Sequence, residues 1–123
     1  MRVGYFGPPG TFTEEALRAS APDGVEPVPF PTIRATVLAV ADGSVEQAVV
    51  PIENALEGSV DATLDALAVD APGVVIVDEV VRPISHCLIG VDGASLDAIA
   101  VVLSHPHALG QCTRFLRERL PDA

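Results

Sequence analysis

The sequence predicts an α/β fold built on an open, mostly parallel sheet and divided into two lobes, and three observations carry that expectation. Apolar runs of strand length recur along the 123 residues, with helically spaced stretches between them. Apolar residues make up 49% of the chain, mostly valine and alanine with no Trp and a single Tyr, which suits buried strands under alanine-lined helices. Glycine-rich or polar loops follow three of the strands, where open α/β sheets collect their ligands. No internal repeat, low-complexity tract or flexible linker interrupts the pattern.

Val3 to Phe6 reads as the first strand, stopped by Gly7-Pro8-Pro9-Gly10. Thr11 and Glu14 stand at capping-box spacing, so a helix is expected from Phe12 or Thr13 to about Ser20, with Ala16 and Leu17 inward and Glu14 returning a bond to the cap amide. Val25 to Phe30 alternates with prolines and is a short or edge strand. Thr32 caps a second helix to about Asp42, whose inward positions are Ile33, Val37, Leu38 and Ala41. Gln47 to Val50 is a buried strand, the stretch from Ile52 to Gly58 is a loop, and Ser59 caps a third helix with apolar positions Val60, Leu64, Leu67 and Ala68.

Val74 to Val77, Val80-Val81, Ser85 to Val91 and Ala100 to Leu103 are the remaining strand candidates. A final helix follows Ser104-His105-Pro106-His107, with Ala108, Cys112, Phe115, Leu116 and Leu120 inward. The charged break near Asp78 to Pro83 marks the lobe boundary. Residues 1–80 are then a first lobe without its carboxyl-terminal return elements, and 81–123 the beginning of a second. Two or three strands and one helix cover little apolar surface, so the domain reads as truncated.

Seven basic and 17 acidic residues give a net charge of −10, which opposes nucleic acid or an anionic membrane as partner. A locally positive pocket for a small anion is still compatible with it. The start Met1 to Phe6 has no signal-peptide core, and no apolar run approaches the roughly 18 residues of a membrane span, so cytoplasm is the expected compartment. Cys87 and Cys112 form no disulfide framework, and with His86, His105 and His107 they lack any standard zinc spacing. His86 reads as a satisfied structural histidine and Cys112 as a helix core residue.

Three segments are candidate sites. Gly7 to Phe12 joins a permissive glycine loop to a helix start at Thr11, a pattern that serves either a structural turn or an anion contact. Glu53 and Asn54 lie just past a strand, where a carboxylate can direct a proton and an amide can bond a polar substrate group; Glu57 reads as an exposed residue. Ser104 precedes a helix start that can hold an anion, and Gln111 lies about two turns along.

Taken in this order, Tyr5 to Thr13, Val50-Pro51-Ile52-Glu53-Asn54 with Gly58-Ser59-Val60, His86-Cys87-Leu88, and Ser104 to Cys112 closely resemble the prephenate dehydratase family. The resemblance implies a bilobal domain similar to the periplasmic solute-binding proteins, with prephenate held in the cleft. It also implies conversion of prephenate to phenylpyruvate, water and carbon dioxide in phenylalanine biosynthesis, without metal or redox cofactor. Family members are usually homo-oligomeric and often carry a carboxyl-terminal ACT domain that senses phenylalanine. Carried over to this chain, Glu53, Asn54, Ser104 and Gln111 become substrate-binding candidates, with Thr11 and Ser59 at supporting helix starts.

Two departures matter. The family's later Thr-Arg-Phe signature, whose threonine acts on the leaving hydroxyl, is expected on a downstream strand; Thr113-Arg114-Phe115 repeats its letters inside a helix. Ala55 stands where the family commonly has a small hydroxyl residue. The resemblance therefore implies no confident catalytic residue within these 123 residues, and little or no activity for the chain alone. A non-catalytic module for small carboxylates, or a protein-interaction fragment whose polar loops are only turns, are the alternative functions.

Overall fold

Val3 to Phe6 becomes the centre of a parallel sheet. In the computed structural model, which describes residues 1–55 and 58–123, β1 (Arg2–Phe6) pairs in parallel with β2 (Glu26–Phe30) on one side and β3 (Gln47–Val49) on the other. Helices α1 (Phe12–Ser20) and α2 (Ile33–Ala41) are the crossovers. The order β2-β1-β3 reverses direction at β1, so right-handed crossovers place the two helices on opposite faces.

One face is closed by Val3 and Tyr5 packed on Leu17 of α1. On the other, Val37 of α2 packs with Ala66 and Ala71, and Val50 and Val74 flank that cluster.

The ladder bonds define which backbone groups face outward. Glu26 N–H donates to Met1 and Gly7 N–H to the Phe30 carbonyl, so even-numbered residues of β2 face β1 and Pro27 and Pro29 face away. Glu46 N–H donates to the Arg2 carbonyl, so Gln47 and Val49 face away on the β3 side.

Both threonine caps form as the sequence predicts. Thr11 accepts from Glu14 N–H at 3.4 Å and Thr32 from Ala35 N–H at 3.0 Å. The inward residues of α2 differ by a small rotation: Thr36, Val37 and Ala39 are buried and Ala41 is exposed. Val45, just past the Asp42-Gly43-Ser44 turn, joins the core at 2% exposure.

After β3 the chain makes a small antiparallel hairpin, β4 (Glu53–Asn54) with β5 (Gly58–Ser59), where a loop was expected. Ser59 therefore sits in a ladder and is not a helix cap; α3 (Asp61–Asp65) is preceded by Val60 and has no side-chain cap. A π-helical turn, Ala66–Asp70, continues α3 and closes with Ala71 N–H on the Ala66 carbonyl. Thr63 and Ala66 form the buried face, while the expected Leu64 and Ala68 are exposed.

The chain divides into two compact units, Met1–Pro83 and Ile84–Ala123. In the second, a 3₁₀ turn (Leu96–Ala98) precedes α4 (Pro106–Arg119). Among the described residues no ladder forms at Val74 to Val77, Val80-Val81, Ser85 to Val91 or Ala100 to Leu103, which corrects the expectation of strands there. Valine-rich composition gives these segments strand preference, but a ladder also needs a neighbouring backbone in register, and none of the described segments supplies one. Ile89 and Leu103 are consequently exposed at 89% and 88%. Phe115 of α4 is exposed as well, while Leu120 is buried.

Candidate functional site

The loops after β1 and β3 leave the same, carboxyl edge of the sheet because the two strands are parallel neighbours. This brings the Gly7–Thr11 loop and the Glu53–Asn54 hairpin to one side of the first unit.

The first loop is held by its own helix. The Glu14 carboxylate, nearly buried, accepts from Gly10 N–H at 2.6 Å and from Arg18 at 2.9 and 2.6 Å. Its second bond thus reaches the residue before the cap, and not the cap amide expected from the capping-box pattern. Gly10 has φ +87°, a conformation open to glycine, and this lets its amide turn toward the carboxylate. The Gly10 amide, followed by Arg18, holds the Glu14 carboxyl below its ordinary range. Thr11 is half-buried, and its hydroxyl also donates to the Phe6 carbonyl at 3.3 Å. The Gly10 amide and the Thr11 hydroxyl are thereby engaged within the protein.

Arg82 adds a cation to this region. It meets Glu15 in the first turn of α1 at 2.6 Å, and its buried Nε has no hydrogen-bond partner among the described residues.

The hairpin is anchored at its base. Val60 N–H donates to the Ile52 carbonyl at 2.9 Å, and the fully buried Thr63 hydroxyl donates to the Pro51 carbonyl at 2.5 Å. Glu53 and Ser59 face each other across the ladder, and both are exposed. Asn54 is half-buried opposite Gly58, whose φ of +80° meets the hairpin's need for a left-handed residue. Glu57 lies outside the described residues.

In the second unit, His86 and Gln111 meet: Nε2–H of His86 donates to Oε1 of Gln111 at 2.8 Å. The bond uses the Gln111 amide oxygen, and the Gln111 NH₂ is a donor group of the same side chain. Ser104 is exposed, directly before His105, which caps α4 by accepting from His107 N–H at 3.3 Å. Leu109, Leu116, Leu120 and Ala123 line an apolar hollow with Ala100 to Val102.

Thr113 lies within α4, where its hydroxyl donates to the carbonyls of Leu109 and Gly110 at 3.1 and 2.9 Å. Among the described residues no cluster of three or more His, Cys, Asp or Glu could hold a metal, both cysteines are free, and no helix is long and apolar enough to cross a membrane.

Sequence reasoning placed the polar loops but missed their supports: Glu14 with Arg18, Arg82 with Glu15, and Thr63. The Glu14–Arg18 pair was detectable from its i,i+4 spacing. Nothing in the sequence signals the other two, which join residues 67 and 12 positions apart.

Comparison with known proteins completes the picture. The family model for prephenate dehydratase matches residues 3–123. A prephenate dehydratase of Amycolatopsis methanolica is 43% identical over 99% of this chain and 39% of its own length. That of Bacillus subtilis is 40% identical over 99% of this chain and 43% of its own. The crystal structure of a prephenate dehydratase from Arthrobacter aurescens in complex with L-Phe superposes with a TM-score of 0.70 at 32% identity, covering all of this chain and 40% of that one. The chain spans about two fifths of the length of these relatives.

Proposed function

The chain belongs to the prephenate dehydratase family, and from that premise we propose that it forms part of the substrate-binding surface for conversion of prephenate to phenylpyruvate. The observation that carries this reading is the presentation of the Gly7–Thr11 loop and the Glu53–Asn54 hairpin on one carboxyl edge of the sheet, in a chain matched by the family from residue 3 to 123.

The reaction sets what such a surface must do. As the ring carboxylate leaves as carbon dioxide, the electrons of its C–C bond enter the ring. The ring C–O bond breaks, and the departing hydroxide takes up a proton to become water. Aromaticity drives the step, so the protein's task is orientation and stabilisation of charge on the leaving oxygen. Asn54, Ser104 and the NH₂ of Gln111 serve as neutral donors to substrate oxygens, and Thr11 and Ser59 support the two loops. Glu53 is exposed and acts as an acceptor for a substrate hydroxyl. No metal or redox group enters this scheme.

In this proposal residues 1–80 and 81–123 belong to the first and second lobes of a bilobal domain of the solute-binding type. The enzyme is cytoplasmic and homo-oligomeric. The L-Phe complex of the Arthrobacter relative supports regulation of the whole protein by phenylalanine. The threonine of the family signature is expected on a later strand, and Thr113 is bonded inside α4, so in this reading residues 1–123 alone bind substrate and turn it over little or not at all.

That last point also favours a second reading, a non-catalytic module for small carboxylates. Two measurements separate them: calorimetric titration with prephenate and phenylpyruvate, and phenylpyruvate formation with and without the remaining family sequence of the Amycolatopsis relative fused in frame. Saturable binding with turnover restored by fusion is expected. Binding without restored turnover selects the carboxylate module, and absence of binding sinks both.

A further inference from the structure

We infer that Thr63 is a positioning residue, which sets the direction in which the β4–β5 hairpin presents Glu53 and Asn54. This rests on the reading of that hairpin as substrate-binding surface.

Among the described residues two threonines are fully buried, and they use their hydroxyls differently. Thr36, in α2, donates to the Thr32 carbonyl at 2.8 Å, the ordinary bond of a helical threonine to the residue four before it. Thr63 is the third residue of α3, one position nearer its helix start than Thr36, so the residue four before it, Ser59, lies in β5; its hydroxyl donates instead to Pro51, twelve residues earlier and just past the end of β3. A purely packing role would be met by valine, which has the same shape and no hydroxyl to satisfy. The hydroxyl is explained by the Pro51 carbonyl, which would otherwise lack this buried partner.

The consequence is geometric. The Pro51 carbonyl is bound to Thr63, and the next carbonyl, Ile52, is bound to Val60 N–H. The Val60 carbonyl in turn receives Thr63 N–H at 2.9 Å and Leu64 N–H at 3.3 Å. Entry and exit of the hairpin are therefore both tied to the first turn of α3. Among the described residues that turn has no side-chain cap, and the Thr63 hydroxyl ties helix to strand end. Glu53 and Asn54 follow directly, and a shift at Pro51 would re-aim both.

The test compares Thr63→Val and Thr63→Ser with Thr36→Val, which removes the same group from an equally buried site outside the hairpin. Backbone amide shifts of Ile52 to Asn54 and hydrogen exchange at Val60 read the hairpin; calorimetry with phenylpyruvate reads the surface. Thr63→Val is expected to move the amide shifts, speed Val60 exchange and weaken phenylpyruvate about five- to tenfold, the effect of losing one hydrogen bond. Thr63→Ser restores all three. Thr36→Val lowers stability and leaves the hairpin shifts and the affinity unchanged.

Unaltered shifts in Thr63→Val, or the same changes in Thr36→Val, would overturn the inference. If Thr63→Val does not fold, Thr63→Cys, which keeps the volume with a weak donor, is read in its place by the same criteria. If the unsubstituted chain binds no phenylpyruvate, the functional reading fails, and the amide shifts alone decide the role of Thr63.

Discussion

Gly4, in the central strand, offers a substitution whose sign depends on packing. A Cβ built there would lie 3.0 Å from Cε2 of Phe30 and 3.3 Å from Cγ2 of Val45. Gly4 has no positive φ, so alanine fits the backbone and would by itself stabilise the chain by about 0.4 to 1 kcal/mol through the unfolded state. Against this stands the clash. Val45 is buried and cannot retreat, whereas the Phe30 ring is half-buried and can yield partly; overpacking of this kind costs about 1 to 3 kcal/mol. Gly4→Ala should therefore destabilise the first unit by about 0.5 to 2 kcal/mol. Tyr5, the only tyrosine in a chain without tryptophan, is buried beside it, so its fluorescence during urea unfolding reports on this unit. Phe30→Leu removes the nearest ring atom, and the double variant should recover about 1 kcal/mol relative to additivity. A neutral or stabilising Gly4→Ala, or strict additivity with Phe30→Leu, would refute the packing account.

Other outcomes follow from single features. Leu17→Ala opens the contact of α1 with Val3 and Tyr5 and should cost about 2 to 5 kcal/mol in the same urea assay. Gly110→Ala, inside α4 with nothing within 4 Å of the added carbon, should slow amide exchange along α4 by stabilising it about 0.5 to 1 kcal/mol; faster exchange would contradict the open surroundings. Glu14, Glu46 and Asp70 have lowered pKa values, caused first by the Gly10 amide, the Arg2 amide and the Arg34 side chain respectively. Their folded values lie below the ordinary 4.5 and 3.8, so the stability they contribute is complete above those values and is lost as pH falls through the folded ones. Stability followed by circular dichroism should decline below about pH 4.5, less steeply in Glu14→Gln.

The parts of the fold legible in the sequence are those decided by local chemistry. Thr11 and Thr32 are read as caps because a hydroxyl and a free amide three residues later suffice to define one. The prolines of β2 announce an edge strand because each lacks a donor. The face of α3 is not legible, because the five-residue turn at Ala66–Asp70 breaks the 3.6-residue period on which Leu64 and Ala68 were placed inward. Ser59 loses its cap role to ladder pairing with Glu53, a contact set by the hairpin as a whole; Gly58 was the one local sign of it. The apolar segments from Val74 to Leu103 show the limit most clearly, since composition carries strand preference but not the neighbour a strand requires. The polar site segments were found for the same reason the caps were, by residue type next to a strand end. The supports from Glu14, Arg82 and Thr63 depend on three-dimensional proximity.

The outward-facing prolines of β2 have a consequence for how the sheet can grow. With no N–H at Pro27 and Pro29, that margin cannot complete a ladder with an arriving strand, while Gln47 and Val49 offer both donor and acceptor on the opposite margin. Among the described residues the sheet thus offers a margin for pairing on one side only. Two copies meeting through it would pair like margin with like and close as a two-fold dimer, leaving proline margins at both outer ends; an unlimited head-to-tail stack has no second margin to use.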